Sequence, residues 1–303
     1  MYHETTTASK KLTELLNPEF MSRLDSLDVL SRKILQGKLQ GERRSKRRGQ
    51  SVEFADHRSY VAGDDLRFLD WNIYGRLEKL FLKLFIEEQD MTIHIVADMS
   101  NSMNLPEPSK ELFIKKLTAA LAYVSLVNNN RVTISFFADG IEGQLANMRG
   151  RGYLHKMADY LLSARCGGLS HFDKAASQLV AARTGTGITI VLSDFLFKDG
   201  YDSGLRRLIG RQYDLYVIQV LSDKELSPDL DGELKLIDVE DNDIAEITVS
   251  GALLKYYKRT ISAYCNQLKD FCTTRGAVYI LAKSSDSVET LVLNYLRRIR
   301  LLR

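Results

Sequence analysis

From Met91 onward the chain repeats one pattern, a short apolar, β-rich run followed by a longer segment with helical periodicity. The runs are TIHIVAD (92–98), RVTISFFAD (131–139), GITIVLSD (187–194), YDLYVIQVL (213–221) and GAVYILA (276–282). Helical segments fall between them at 109–128, 151–163, 171–183, 201–210 and 251–274. A strand that is apolar on both faces must be covered on both faces, and strands separated by helices can run parallel. The pattern therefore predicts an α/β fold over 91–303: a three-layer, doubly wound, mostly parallel sheet with helices on each side. A shorter pair, ELKLID (233–238) and AEITV (245–249), reads as a β-hairpin turning near Asp241-Asn242-Asp243, and a last helix is placed at 286–301.

Upstream the chain divides again. In residues 1–50, Leu12, Leu15, Leu16, Phe20, Leu24 and Leu27 recur near helical spacing, which predicts a helical stretch over 9–38. A basic run follows: Arg43, Arg44, Lys46, Arg47 and Arg48. Residues 51–90 are dense in charge and aromatics, read as neither a clean helix nor a clean strand, and are expected to pack on the main domain. With 45% hydrophobic and 27% charged residues in 303, the chain has the composition of a globular protein. A net charge of +3 does not demand a polyanionic partner. The basic run lacks interleaved aromatics, so it reads as a solvated segment and no nucleic-acid partner is expected. No window approaches the ~18 consecutive apolar residues that span a bilayer. MYHETTTASKKLTELL has no signal-peptide core, so a cytoplasmic protein is expected. The cysteines Cys166, Cys265 and Cys272 make no C-x-x-C pair for zinc, and the last two, seven apart on one helical face, read as core.

In open α/β sheets, ligands bind at the carboxyl edge of the strands. Two predicted strands end there in acidic, hydroxyl-bearing loops: Asp98-Met99-Ser100-Asn101-Ser102 after the first and Ser193-Asp194 after the third. Gly167-Gly168-Leu169-Ser170 precedes the helix that begins near His171. Aspartate and serine oxygens are hard ligands suited to Mg²⁺ or Mn²⁺. Alternate positions of an extended turn can face one point, and so few charged ligands leave an ion net positive, with a position open to an acidic group of another protein. The structural alternative has Ser100 and Ser102 capping the helix near Ser109, with Asp98 merely ending a strand. His94 reads as a core histidine, and His171 as the histidine nearest these loops. Thr184-Gly185-Thr186-Gly187 lacks the G-K-[ST] of a phosphate loop, and there is no G-x-S-x-G elbow.

The stretch Asp98-Met99-Ser100-Asn101-Ser102 resembles the D-x-S-x-S of the metal-ion-dependent adhesion site in von Willebrand A domains. That resemblance implies that Ser100 and Ser102 ligate the ion directly, that Asp98 acts mainly through water, and that Asp194 is the aspartate of the later loop. It places Ser170 where the family has threonine, since Phe172 and Ala175 then match the apolar spacing; Leu169 stands in place of the usual second glycine. Further upstream, Glu53-Phe54, Arg58-x-Tyr60, Gly63-Asp64-Asp65, Arg67, Asp70-Trp71, Arg76 and Glu87 resemble the hallmark of the bacterial domain of unknown function 58 family. That family couples this segment to a von Willebrand A-like domain, and its members often accompany MoxR-type AAA+ ATPases. The resemblance, over about 40–282, implies a non-catalytic adaptor or co-chaperone working with such an ATPase.

The signature also has physical content. Gly63 before Asp64-Asp65 suggests a tight turn. Arg58, Arg67 and Arg76 alternate with Asp64, Asp65 and Asp70, which predicts an ion-paired cluster, with Trp71, the only tryptophan, as its anchor. The competing reading, a second metal site or nuclease-like acid cluster, is opposed by those arginines. Two other functions compete with the interaction module. One is Mg-dependent phosphoryl transfer with Asp98 as nucleophile. Against it, Ser100 stands where haloacid-dehalogenase-type phosphatases carry a second acid, and no lysine is placed to bind phosphate. The other is a metal-free scaffold that binds through 51–88.

Overall fold

A computed structural model describes residues 11–29, 52–61, 64–87, 91–105, 109–182, 187–210, 213–230, 232–237, 244–299 and 301–302. In chain order the elements are α1 (Pro18–Leu24), β1 (Val52–Ser59), α2 (Trp71–Leu77), β2 (Phe81–Glu87), β3 (Thr92–Asp98), α3 (Lys110–Val127), β4 (Arg131–Ala138) and β5 (Gly140–Met148). They continue with α4 (Leu154–Ser163), α5 (Phe172–Ala182), β6 (Gly187–Ser193), α6 (Asp202–Leu208), β7 (Tyr213–Leu221), β8 (Gly232–Ile237), β9 (Ile244–Val249), α7 (Gly251–Thr274) and β10 (Val278–Lys283). Residues Met1–Gly41 with Met91–Arg303 form one compact unit and Glu42–Asp90 a second.

The main sheet runs β10-β7-β6-β3-β4-β5, parallel throughout except for β5, which pairs antiparallel to β4. Every residue of β3, β6 and β7 is buried, as their uninterrupted apolar runs require in the middle of a three-layer fold. Neighbouring residues point to opposite faces. Ile95 joins the core that holds Leu117, Leu161 and Leu296, while Val96 joins the one that holds Phe172, Leu205 and Leu268. This is the three-layer, mostly parallel α/β arrangement that the sequence predicts. β8 and β9 form the predicted antiparallel hairpin, and its turn at 241–243 lies outside the described residues.

Three elements differ from the sequence reading. β5 was not predicted: along GIEGQLANM only Gly140 and Met148 are buried, so this edge strand carries no apolar run. The single helix over 9–38 is instead a helical turn at 11–15, a break, and α1, which ends at Leu24. Asn17 and Pro18 cause the break, because proline favours a first helical position and Asn17 Oδ1 accepts from the Phe20 amide at 2.6 Å. The stretch beyond Val29, including Arg43–Arg48, lies outside the described residues. Leu12, Leu15, Leu16, Phe20, Leu24 and Leu27 are all buried in the core shared with α3 and α4, and Val29 pairs with Leu302. The last helix, expected over 286–301, runs without a break from 288 to 298, but its middle, Leu291–Leu296, is π-helical. No helix among the described residues is long and apolar enough to cross a membrane.

The second unit is an antiparallel β1–β2 ribbon paired from Val52↔Glu87 to Ser59↔Phe81, with a register shift between Phe54 and Asp56 and α2 in its connection. A ribbon interrupted by a helix explains why no single period could be read across 51–88. The ion pairs are local ones: Arg58 to Asp64 at 2.8 Å and Arg67 to Asp65 at 2.6 Å. Asp70 instead caps α2 through the Asn72 and Ile73 amides and bonds His57 Nε2 at 2.9 Å. Arg76 lies exposed in the last turn of α2, and Gly63 is outside the described residues. Trp71 is not the expected anchor: it is 64% exposed, edge-on to Tyr74, while the neighbouring Leu69 and Asp70 are buried.

Candidate functional site

β3 and β6 are parallel neighbours, so their carboxyl ends lie side by side and bring Asp98 beside Ser193 and Asp194. Asp98 is fully buried. Its Oδ1 accepts from the Ser100 amide at 2.9 Å and the Ser100 hydroxyl at 2.7 Å, and its Oδ2 accepts from Ser193 Oγ at 2.6 Å. Ser100 Oγ lies 3.1 Å from Ser102 Oγ, which donates to Asp194 Oδ2 at 3.3 Å. The structure thus links four of the five predicted site residues through one run of oxygens. The fifth, Ser170, belongs to a loop tied to the first: Gly167 N donates to Met99 O at 2.8 Å, and Asn101 N donates to Gly168 O at 3.2 Å. Ser170 Oγ is buried and has no hydrogen-bond partner among the described residues.

The capping alternative does not describe this loop. Ser109 is the N-cap of α3 and makes no side-chain cap bond, while Ser100 and Ser102 spend their hydroxyls on carboxylates and on each other. His171 does not join the oxygen cluster. Its Nδ1 faces Asp199 at 3.5 Å, in a cleft of about 380 Å³ that Ser170 also borders. His94 is buried in β3, edge-on to Tyr213.

Two residues at this site escaped the sequence reading. Lys110, the first residue of α3, is fully buried; its Nζ lies 2.7 Å from Asp194 Oδ2 and 2.5 Å from Glu225 Oε1. A lysine had not been expected near this site. The signal was present in the helical period, because Lys110 falls on the same stripe as Phe113, Ile114, Leu117 and Leu121, all buried. Glu225 closes a capping box with Ser222: its Oε2 accepts from the Ser222 amide at 2.7 Å, and its own amide donates to Ser222 Oγ at 3.1 Å. The S-x-x-E spacing of that box is legible in the sequence, but the contact with Lys110 is not.

Electrostatics follow from burial. Loss of water around Asp98 raises its carboxyl to about 7; the charge of Asp194 adds to the rise, and the Ser193 and Ser100 hydrogen bonds offset part of it. For Lys110, burial is the largest influence and pulls downward. The charges and hydrogen bonds of Asp194 and Glu225 together outweigh it and hold the ammonium above its ordinary value, in its charged form.

Whether these residues suit a divalent ion can be judged from their donors. Among the described residues, no group of three or more His, Cys, Asp or Glu side chains is spaced to hold a metal. An ion here would rest on the Ser100 and Ser102 hydroxyls, with Asp98 behind them, and on the partnerless Ser170 Oγ. That hydroxyl half fits a hard cation such as Mg²⁺ or Mn²⁺. The Asp194 half already faces an ammonium.

A family model described as "Protein of unknown function DUF58" matches residues 56–264. The uncharacterized proteins Rv1480 of Mycobacterium tuberculosis and Mb1516 of Mycobacterium bovis are each 23% identical over 254 residues, covering 82% of this chain and 80% of theirs. Among solved structures, conserved hypothetical protein BatB from Bacteroides thetaiotaomicron matches 69% of this chain and 98% of its own at 14% identity, with a TM-score of 0.43. The SpRpn10 VWA domain matches 68% of this chain and 94% of its own at 11% identity, with a TM-score of 0.40.

Proposed function

The chain belongs to the DUF58 family, and from that premise we propose that it is a cytoplasmic protein-interaction module that presents a divalent cation, Mg²⁺ or Mn²⁺, to an acidic side chain of a partner. The observation that carries this reading is the run of oxygens from Ser193 through Asp98, Ser100 and Ser102 to Asp194, with Ser170, whose hydroxyl has no partner among the described residues, on a loop bonded to the Met99–Asn101 backbone. Ser100, Ser102 and Ser170 would hold the ion, which when bound supplies a positive charge with a position for a carboxylate oxygen. Asp98 orients Ser100 through two hydrogen bonds, and Ser193 fixes Asp98. Hydroxyl ligands leave most of the ion's charge uncompensated, which favours capture of an external carboxylate. The partner proposed is a MoxR-type AAA+ ATPase, with this chain as its adaptor or co-chaperone; the family pattern in 51–88 supports that assignment.

Phosphoryl transfer is the second reading, and Lys110 is the one observation in its favour. That ammonium is fully buried and already bonded to two carboxylates, while both oxygens of Asp98 accept hydrogen bonds, so neither group is free to meet a phosphate. The proposal is tested by calorimetric titration with Mg²⁺ and Mn²⁺ of the wild type, Asp98→Ala and Ser100→Ala. Metal binding by the wild type and its loss in both variants is the expected result. No binding by the wild type, or equal binding by all three, sinks the metal-dependent reading. A pull-down with a purified MoxR-type ATPase, with metal and with chelator, then tests the partner.

A further inference from the structure

Among the described residues Lys110 is the one cation at the site, and the metal reading leaves it without a task. It is a long, flexible cation with no exposed surface, and burying it is costly unless the charge is matched. The match is made on two sides, by Asp194 from the loop after β6 and by Glu225 from the turn after β7. Both partners are held in place independently. The Asp194 carbonyl accepts from Gln219 Nε2 at 2.8 Å, and Asp194 Oδ1 accepts from the Leu196 amide at 3.1 Å. Glu225 is fixed by its capping box, and its carbonyl accepts from Tyr257 on α7 at 2.8 Å. The ammonium therefore sits in a socket built before it arrives, and it shares Asp194 Oδ2 with Ser102.

We infer that Lys110 is the site's internal counter-ion and competes with a divalent cation for Asp194, so that it sets how tightly the hydroxyl pocket holds metal. The inference rests on the metal-site reading above and deepens it. Charge arithmetic supports the assignment: Asp194 and Glu225 carry two negative charges against one on Lys110, so the pocket tolerates a single added ion but loses affinity for it through repulsion from the ammonium. Competition of this kind makes the ion weakly held in the free protein. It also ties metal occupancy to α3, the helix that begins at Lys110, and through Glu225 to α7. A partner that draws Lys110 away from Asp194 would strengthen the ion that it binds.

The test compares wild type, Lys110→Met, Lys110→Gln and Lys110→Gln/Asp194→Asn by Mn²⁺ calorimetry and by thermal unfolding in chelator and in Mn²⁺. Lys110→Gln keeps a donor toward both carboxylates while removing the charge, and so guards against a methionine variant that merely fails to fold. Expected is Mn²⁺ binding about tenfold tighter, or more, in Lys110→Gln than in wild type, from loss of a nearby like charge. Its melting point should be lower than wild type in chelator and rise more steeply with Mn²⁺. Adding Asp194→Asn should erase the gain. Mn²⁺ binding by Lys110→Gln that is no tighter than by the wild type overturns the competition and leaves the metal reading standing. Binding by Lys110→Gln alone supports the competition while sinking the metal-dependent reading of the wild type. Absence of binding in every protein overturns both.

Discussion

The buried Asp98 carboxyl holds its proton to about 7, far above an exposed aspartate, and this gives the fold a pH dependence of definite sign. With the folded value raised above the unfolded one, the native state binds the extra proton between the two. The contribution of Asp98 to stability is therefore most favourable below about 4 and is lost as pH rises toward about 7. In chelator, Asp98→Asn should flatten the decline of stability between about pH 4 and 7, measured by urea unfolding; an unchanged slope would show that Asp98 does not titrate in that window. Burial also pushes the Cys166 and Cys272 thiols up to about 12. Both should stay unalkylated in the native protein at neutral pH and react once it is unfolded, since the thiolate is the reactive form. Rapid native labelling mapped to Cys272 would contradict its burial, and labelling mapped to the half-buried Cys166 would contradict its raised thiol.

Among elements, α5 and α6 approach each other closely at a glycine. A Cβ placed on Gly204 would lie 2.5 Å from Cδ1 of Phe172, a ring stacked on Phe197 and fully inside the core. Gly204→Ala should cost about 1–3 kcal/mol by overpacking, read from the urea midpoint. The strands that make the centre of the sheet were legible because their burial is two-sided, and TIHIVAD and YDLYVIQVL begin and end where β3 and β7 do. β5 was not legible, because an edge strand needs few apolar residues and GIEGQLANM has few. The D-x-S-x-S loop and Asp194 could be placed from the ends of those strands. Lys110 and Glu225 could not be joined, since they meet across 115 residues of sequence and no local period connects them. The Asn17-Pro18 break was written in the sequence but was masked by the recurrence of leucines on either side.

At the scale of the molecule, the N-terminal segment is part of the main core. Leu16 and Phe20 are buried with residues of α3 and α4, so Leu16→Ala should cost about 2–5 kcal/mol in a single cooperative transition of the main unit, followed by circular dichroism. A variant that melts like wild type would separate the segment from that core. Since 11–29 and 91–302 build this core together, and Val29 pairs with Leu302, the chain leaves its host before the β1–β2 ribbon and returns to it afterwards. The ribbon unit is in that sense a parenthesis in the chain. The closure entropy of such an excursion grows only with the logarithm of its length. A parenthesis can accordingly be enlarged, shortened or rewritten on its outer surface while the sentence around it keeps its grammar. In that arrangement the host carries the oxygen cluster, and the ribbon adds a surface of its own to the chain.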